Sequence, residues 1–528
     1  MLVLRGKRLI WLAASAICHT VWLRAQTAPP AAAPGVSPIS VSPISIVEAG
    51  QTTINLNPQI AISREQVNFD RGALLIQQGI FDLNLTSSVS DSRAYTGLLP
   101  GLSVDGQNPM ITDTVTTSGG ASQLYRSGIT VAPFIELNRI SDNQTMQVGA
   151  NQPLVSIEVT LPLLRNRGRA AVASREIAAG LEVDASAYDL SQVASQALAN
   201  TATAYWNYVG AIQSLDVYRQ SEDRGKALLE GVEAQASADI VPRIQVQDAV
   251  ANLANRTQAR IGQEQAVIQA QQQLAIAMGL DDHHMITIAP PGDPLPGGGS
   301  LPSVQLDAVH LQQYIDQALT RRGDYLASKT RAGEQRALLA GNKNQLLPQV
   351  NVVGSLGYTG VRPGSGAGNY IAPLFITPSG PNASVGLQYQ FPLQNRAAKG
   401  GVAQNEAMLR QQDLTTNDLA RQIASAVVTA ASALRLNALQ LVEARRASAA
   451  ALAGLNGERE RLRSGVGSVL DTLQTEDRYI AAVLAEISAQ VSYATAIAGF
   501  RFATGTFIDP RSPVQAVARE AFYAPTAP

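Results

Sequence analysis

The chain has 528 residues, more than a single compact core usually accommodates, so we expect several domains or an extended architecture. Charged residues make up 15% of the chain, against about 25% in ordinary soluble domains, and the formal net charge is −1. Because a chain with no excess of basic residues lacks the electrostatic footprint of a nucleic-acid-binding protein, we exclude nucleic acid as a partner.

The N-terminus has the pattern of a secretory signal peptide, which we place at residues 1–25. Arg5, Lys7 and Arg8 form a basic start, and an apolar stretch too short to span a bilayer securely follows them. No later run of 18 or more apolar residues occurs, so we do not expect a helical membrane protein. Cys18 is the only cysteine and lies in this segment, so the mature chain would have no thiol ligand or nucleophile. The residues before Cys18 do not fit a lipid-attachment site well, but lipidation stays open.

After a Pro- and Ser-rich stretch at residues 26–56, which we expect to be a disordered linker, the chain repeats itself. Three short segments recur in the same order, 82–85, 159–167 and 242–246 in the first copy and 349–352, 389–396 and 468–472 in the second. We therefore predict two repeats, 57–280 and 306–507. A Gly/Pro-rich linker at 281–305 would join them, and an irregular tail at 508–528 would follow.

Each repeat contains two segments in which apolar and polar residues alternate, at about 81–90 and 153–163 and at about 349–358 and 383–392. A period of two predicts strands with one apolar and one polar face, and the length suits a tilted strand that crosses a bilayer. Each segment alone also fits a strand of a soluble sandwich. The segments 91–149 and 360–381 between them are rich in Gly, Ser, Thr and Asn and are predicted to be long loops.

A long segment without proline follows each strand pair, at 169–236 and at 397–463, and a helix of that length measures about 100 Å. An apolar stripe near the coiled-coil period runs along the second segment, formed by Ile423, Val427, Ala431, Leu434, Ala438 and Leu441. We predict shorter return helices at 242–279 and 468–505, with Pro242 at the first helical position of one and Ser468 as the N-cap of the other. A further helix over 307–345 leads into the second strand pair.

The duplicated strand-strand-long helix-short helix unit resembles the TolC family of outer-membrane efflux proteins over about residues 57–507. The residues that carry the resemblance are the junctions Leu161-Pro162-Leu163 and Phe391-Pro392-Leu393, the motif Ala204-Tyr205-Trp206-Asn207-Tyr208, and the turn at residues 465–476. The resemblance implies a mostly α-helical protein with membrane β-strands, in which three chains form a twelve-stranded β-barrel continued by a periplasmic α-helical barrel. An oligomer also follows from four membrane strands per chain, because an open sheet edge in lipid leaves backbone groups unsatisfied.

The function implied by the resemblance is a passive channel in the outer membrane of a Gram-negative cell, with no catalysis and no cofactor. Its partners would be two further copies of the chain, a periplasmic adaptor protein, an inner-membrane transporter and outer-membrane lipid. Tripartite efflux and type I secretion share this outer component, so drug, metal and protein export stay open. The alternatives are a secreted coiled-coil scaffold or adhesin, which leaves the strands unexplained, and an envelope enzyme, for which no catalytic motif stands out.

The resemblance places the candidate functional residues at the periplasmic end of the helices. The turns expected to contact the adaptor comprise Gly465, Val466, Gly467 and Ser468 in the second repeat and Ile240, Val241 and Pro242 in the first. Asp471 matches the aspartate that narrows the closed tunnel of the family and favours cations. Gln474 lies where a second acidic residue is often found in the family, so the ring of negative charge at the constriction would be weaker in this chain. Asp471 is equally explained as a first-turn carboxylate that complements the helix dipole.

Two other groups of residues are expected to have structural roles. Tyr205 and Trp206 are interpreted as packing residues within the helices rather than as a ligand site. The pair His283 and His284 follows two aspartates directly after a predicted helix end, where a solvated turn is more common than a metal site.

Overall fold

A computed structural model describes residues 43–99, 101, 109–144, 146–238, 242–285, 288–297, 306–376, 378–464, 466, 468–511 and 517–526. The predicted signal peptide, including Cys18, lies outside these residues. So do four of the predicted contact residues, namely Ile240, Val241, Gly465 and Gly467.

The described residues are mostly α-helical and include one β-sheet. In chain order the helices are α1 (Ile46–Leu56), α2 (Pro58–Gln78), α3 (Arg169–Val172), α4 (Ser174–Ser237), α5 (Ile244–Met278), α6 (Asp282–Met285), α7 (Ala308–Arg321), α8 (Gly323–Asn344), α9 (Ala367–Ile371), α10 (Arg396–Arg463), α11 (Val469–Ala503) and α12 (Glu520–Tyr523). The strands are β1 (Asn84–Thr96), β2 (Met110–Leu124), β3 (Thr130–Asp142), β4 (Ala150–Pro162), β5 (Gln349–Gly360), β6 (Arg362–Pro363) and β7 (Pro378–Gln390).

All pairings in the sheet are antiparallel, and the strand order is β1-β2-β3-β4-β5-β7, with the two-residue β6 beside β4. The four predicted strands correspond to β1, β4, β5 and β7. The prediction of a loop over 91–149 is wrong, because β2 and β3 lie within it. β2 carries Thr and Gly on both faces, so the alternation of apolar with polar residues that marks a strand is absent there. Its threonines are β-branched and still favour extended backbone.

The long helices pack side by side. The apolar stripe predicted on α10 is buried except for Ala438, which is partly buried, and it forms a hydrophobic cluster with Tyr314 of α7 and with Tyr493, Ile497 and Phe500 of α11. Within α4, the side chains of Tyr205 and Trp206 are fully buried, which confirms their interpretation as packing residues. Burial of apolar side chains at helical spacing is the main source of stability for helices of this kind.

Several predicted boundaries are corrected by the structure. The segment 26–56 is not disordered throughout, because α1 begins at the N-cap Ser45 and buries Ile46 and Ile54. The C-terminal tail is not simply irregular either, since α12 buries Phe522 and places the Tyr523 ring edge-on to Trp206, with 5.4 Å between the ring centroids. Both end segments contain apolar residues that are buried in the structure, although the overall composition of these segments did not suggest ordered helices.

Two predicted helices are interrupted. The helix expected over 307–345 is divided at Arg322, whose backbone is extended. The next residue, Gly323, packs directly on the carbonyl of Tyr188, where a Cβ would collide. The helix expected from 169 is divided at Ala173 between α3 and α4. Pro242 is not the first helical residue, because α5 begins at Ile244, although the Pro242 carbonyl accepts a hydrogen bond from Gln245 N at 3.0 Å.

Candidate functional site

The register of the sheet separates its side chains into two chemically different faces. One face, which we call the apolar face, carries Leu85, Val89, Ile135, Val155, Ile157, Val159, Leu161, Val352, Leu356, Val385, Leu387 and Tyr389. Charged residues, namely the ion pair Arg93–Asp113 and Arg139, also lie on this face, toward the ends of β1, β2 and β3 that are farthest from the β2–β3 turn. The opposite face, the hydroxyl face, carries Thr86, Ser88, Ser90, Thr114, Thr116, Ser118, Ser156, Ser355, Ser384 and Gln388. Cross-strand hydroxyl pairs connect neighbouring strands on this second face, with 2.7 Å between the Oγ atoms of Ser88 and Ser118 and of Ser355 and Ser384.

The apolar face is exposed within the single chain. Val385 is 82% and Leu387 is 68% exposed, and large apolar residues on the other strands of this face are exposed as well. Soluble monomers rarely display a contiguous apolar surface of this extent, which instead marks contact with a membrane or another protein. The segment between β5 and β7 crosses the middle of β2 and β3 on this face, where the Tyr370 hydroxyl donates hydrogen bonds to Leu137 O at 2.8 Å and to Thr117 Oγ1 at 3.3 Å.

The sheet is joined to the helices by an ion pair at the turn between β2 and β3. The Arg126 guanidinium donates two hydrogen bonds to the Glu176 carboxylate of α4, both 2.7 Å long. The hydrogen bond from Arg126 lowers the pKa of Glu176, against a smaller opposing effect of burial. Arg126 also lies over the Phe81 ring, 4.7 Å from its centroid. This turn is therefore held directly on the helical part of the chain.

The opposite end of the helices contains the predicted tip residues. Ser468 is confirmed as the N-cap of α11, since its Oγ accepts a hydrogen bond from Leu470 N at 3.1 Å. Asp471 lies in the first turn of α11, and both it and Gln474 are exposed. Val466 is also exposed, and its N–H donates to Arg461 O at 3.0 Å, which ends α10.

An exposed stripe continues from Asp471 along one face of α11. Its members recur at spacings of three and four and are Asp471, Gln474, Arg478, Ala481 and Ala485. Sequence reasoning missed Arg478, although its position seven residues after Asp471 puts it two turns further along the same face. The stripe thus combines one acidic residue, one basic residue and one amide with two alanines.

Behind this stripe, a buried carboxylate holds α11 against its neighbours. Glu476 is 6% exposed and accepts hydrogen bonds from Arg224 of α4 and from Arg256 of α5, the latter at 3.2 Å. Arg256 is also 6% exposed, and it donates to Ser221 O at 3.0 Å and approaches Asp477 within 3.5 Å. Arg459 of α10 lies 3.7 Å from Glu476, so this one carboxylate connects all four long helices.

A second carboxylate strengthens the same region. Glu222 of α4 is paired with Arg260 of α5 at 2.5 Å and with Lys226 at 3.4 Å, and Thr257 donates a hydrogen bond to it at 3.2 Å. Burial by itself would raise the pKa of Glu222, but the hydrogen bonds from Lys226, Thr257 and Arg260 outweigh it, and the pKa is lowered. The sequence offered no signal for either cluster, because the partners of Glu476 on α4 and α5 lie 252 and 220 residues away in the chain.

The remaining candidates do not form a site. His284 pairs with Asp281 three residues earlier in an exposed turn. Among the described residues there is no group of three or more His, Cys, Asp or Glu side chains that could hold a metal ion.

Comparison with known proteins identifies the fold through structure alone. No family model matches the chain, and no curated protein matches it by sequence. The outer-membrane channel CmeC of Campylobacter jejuni superposes with a TM-score of 0.63 at 14% identity, over 89% of this chain and 87% of CmeC. The chain has the fold of TolC-like outer-membrane channels. The MtrE outer-membrane channel of Neisseria gonorrhoeae matches with a TM-score of 0.61 at 15% identity, over 91% of this chain and 95% of MtrE.

A third example is the outer-membrane protein VceC of Vibrio cholerae, with a TM-score of 0.60, 14% identity and coverage of 87% of this chain and 96% of VceC. The predicted resemblance to the TolC fold, mostly α-helical with antiparallel strands, is thereby confirmed. Two helices of this TolC-like fold, Arg396–Arg463 and Leu470–Ala503, are long and apolar enough to cross a membrane by length and composition alone. Within the single chain, only 22% of the most apolar 18-residue stretch of the first helix and 17% of that of the second are buried.

Proposed function

We propose that this protein is the outer-membrane component of an export system, and that it forms a passive channel without catalytic activity. The observation that carries this proposal is the sheet, which has one exposed apolar face and one hydroxyl face and is anchored directly on long helices. In a membrane barrel the apolar face contacts lipid and the polar face lines the lumen. The helices, such as α10 with 68 residues and a length of about 100 Å, would then extend the channel into the periplasm.

The assembly would be a homotrimer, as the resemblance to the TolC family implies. Two features of the single chain support an oligomer. The sheet has open edges at β1 and β7, whose backbone groups would be unsatisfied in lipid. The most apolar stretches of α10 and α11 are also largely exposed within one chain, and neighbouring copies would bury them.

The tip would connect the channel to a periplasmic adaptor protein and an inner-membrane transporter, in tripartite efflux or type I secretion. Val466 and Ser468, together with the turn before Pro242, are the proposed adaptor contacts, and Val466 is exposed as such a contact requires. Asp471 is the proposed constriction residue. Because Arg478 lies on the same exposed face, its charge would partly offset the attraction of Asp471 rings for cations.

The experiment is to express the full chain in a Gram-negative host, fractionate the envelope and measure the mass of the purified protein in detergent. We expect recovery in the outer membrane, a mass of three chains, and discrete ion conductance in planar bilayers. A water-soluble monomer without conductance would overturn the proposal, and so would recovery from the culture medium as a fibrous scaffold.

A further inference from the structure

One side of α11 carries charged residues only near the tip. Starting from Asp471, every seventh residue is Arg478, Ala485, Ser492 and Gly499, and we call these five residues the heptad line. At 3.6 residues per turn, seven residues return to within about 20° of the same direction. All members of the heptad line are exposed except Ser492, which is half-buried. The line therefore begins with one acidic and one basic residue and continues with small uncharged side chains.

The other four charged residues of α11 lie on different sides of the helix and have partners. Glu476 and Asp477 belong to the cluster of ion pairs described above. Glu486 pairs with Arg445 of α10 at 3.7 Å, and Arg501 donates a hydrogen bond to a backbone carbonyl at 2.8 Å. The heptad line thus has no charge beyond its first two members, although α11 continues for 25 residues after the second of them.

Arg478 differs from its neighbouring arginines because it has no acidic partner among the residues that the structure describes. On a helix, an ion-pair partner would lie three or four positions away, and the residues there are Gln474, Thr475, Ala481 and Ala482. The arginines behind the stripe all pair with Glu476, and they are Arg224, Arg256 and Arg459. The Arg478 guanidinium therefore retains its N–H donors for a ligand.

We propose that the three Arg478 side chains of the trimer form a cationic ring inside the channel, which binds the acidic groups of exported polyvalent organic anions. The inference rests on the function proposed above, in which Asp471 faces the channel axis. Arg478 then faces the axis as well, since it points in nearly the same direction. At 1.5 Å per residue, its ring would lie about 10 Å further from the tip than the ring of Asp471.

The separation of the two rings keeps their charges from cancelling. At physiological ionic strength, charges in water are screened beyond about 8 Å, so an anion at Arg478 is affected by its own ring more than by Asp471 about 10 Å away. Because Gln474 is uncharged, an entering anion passes only one acidic ring on this face of the helix. A guanidinium can bind a carboxylate or phosphate through two parallel hydrogen bonds. Three such groups around one axis favour a solute with several negative charges.

Planar-bilayer recordings of the full-length channel test this ring, with citrate as a probe that carries three carboxylates. Citrate is added on the side of the helical tip at about 0.15 M salt, and the concentration that halves the conductance is measured. We expect Arg478→Gln to raise this concentration by about tenfold or more, because it removes charge-assisted hydrogen bonds. Arg478→Lys is the matched control, since it keeps the positive charge, and it should retain most of the block.

A second variant separates the two rings. Asp471→Asn should not weaken the block by citrate, because it removes a charge that repels the anion. Weaker block in Asp471→Asn, or equal block in Arg478→Gln and the natural channel, would overturn this inference and leave the proposed channel function intact. An ion pair between Arg478 and a neighbouring copy would also contradict it, and Arg478→Gln would then destabilise the trimer in detergent without changing the block. A chain that gives no conductance would instead overturn the proposed function.

Discussion

Replacing Glu476 by Gln is the most direct test of the buried cluster behind the tip. The substitution preserves the shape of the side chain and removes its charge. Arg256, which is 6% exposed, would then retain Asp477 at 3.5 Å as its nearest carboxylate, while Ser221 O would still accept its hydrogen bond. Arg224 is more exposed and can be hydrated in part. The Arg256 guanidinium would thus lose the nearer of its two carboxylates, and this loss is costly because the charge was removed from water in exchange for that contact.

The expected loss in the free energy of unfolding can be estimated from this geometry. Breaking a buried ion pair by removing one partner typically costs about 3–5 kcal/mol, and the remaining amide oxygen of Gln recovers part of one hydrogen bond at about 1 kcal/mol. We therefore expect the free energy of unfolding to fall by about 2–4 kcal/mol. The measurement is urea unfolding of the purified protein in detergent, followed by far-ultraviolet circular dichroism of the helices.

Glu443→Gln is the matched control, because it makes the same chemical change on α10. Glu443 pairs with Arg446 at 2.7 Å, but both side chains are well exposed. An exposed ion pair contributes about 0–1 kcal/mol, so this variant should unfold almost like the natural protein. Equal losses for Glu476→Gln and Glu443→Gln would refute the view that burial makes the Glu476 cluster important.

Three further predictions concern the tip, the membrane face and the helices between them. Asp471→Asn should reduce the preference of the channel for cations and weaken its block by multivalent cations in planar bilayers, because three carboxylates near one axis attract cations. Unchanged ion selectivity would mean that Asp471 serves only as a first-turn carboxylate that complements the helix dipole. Leu387→Arg should impair assembly into the membrane, because a cation that faces lipid at mid-bilayer costs about 2–4 kcal/mol. Gln388→Arg, on the hydroxyl face, should assemble. Equal yields of trimer for the two variants would show that the faces are wrongly assigned. Burial, and secondarily the charge of Glu182, raise the pKa of Glu334 from its usual 4.5 to about 7. The folded state therefore binds this proton more tightly than the unfolded state does, and the free energy of unfolding should fall as the pH rises from 4.5 to 7. After allowance for solvent screening the fall is about 1–2 kcal/mol, and it should disappear in Glu334→Gln when thermal unfolding is measured across this range.

Local patterns in the sequence were sufficient to predict most of the long elements. The apolar stripe from Ile423 to Leu441 marked α10, because a rod that packs along its whole length must repeat its apolar residues at the helical period. The strands β1, β4, β5 and β7 were visible for the related reason that one face of each is apolar and the other polar. Ser468 was recognised as a helix cap because capping depends only on the nearest few residues.

Tertiary structure decided what local patterns do not encode. The strand β2 has no apolar alternation, and it becomes a strand because β1 and β3 flank it and satisfy its backbone hydrogen bonds. The helices α1 and α12 were missed because short apolar segments acquire stability only when packed, as Phe522 is near Gly50. The charges around Glu476 come together from four helices that are distant in the chain. A buried ion pair depends on the position of its partner in space, and no local spacing in the sequence records that position.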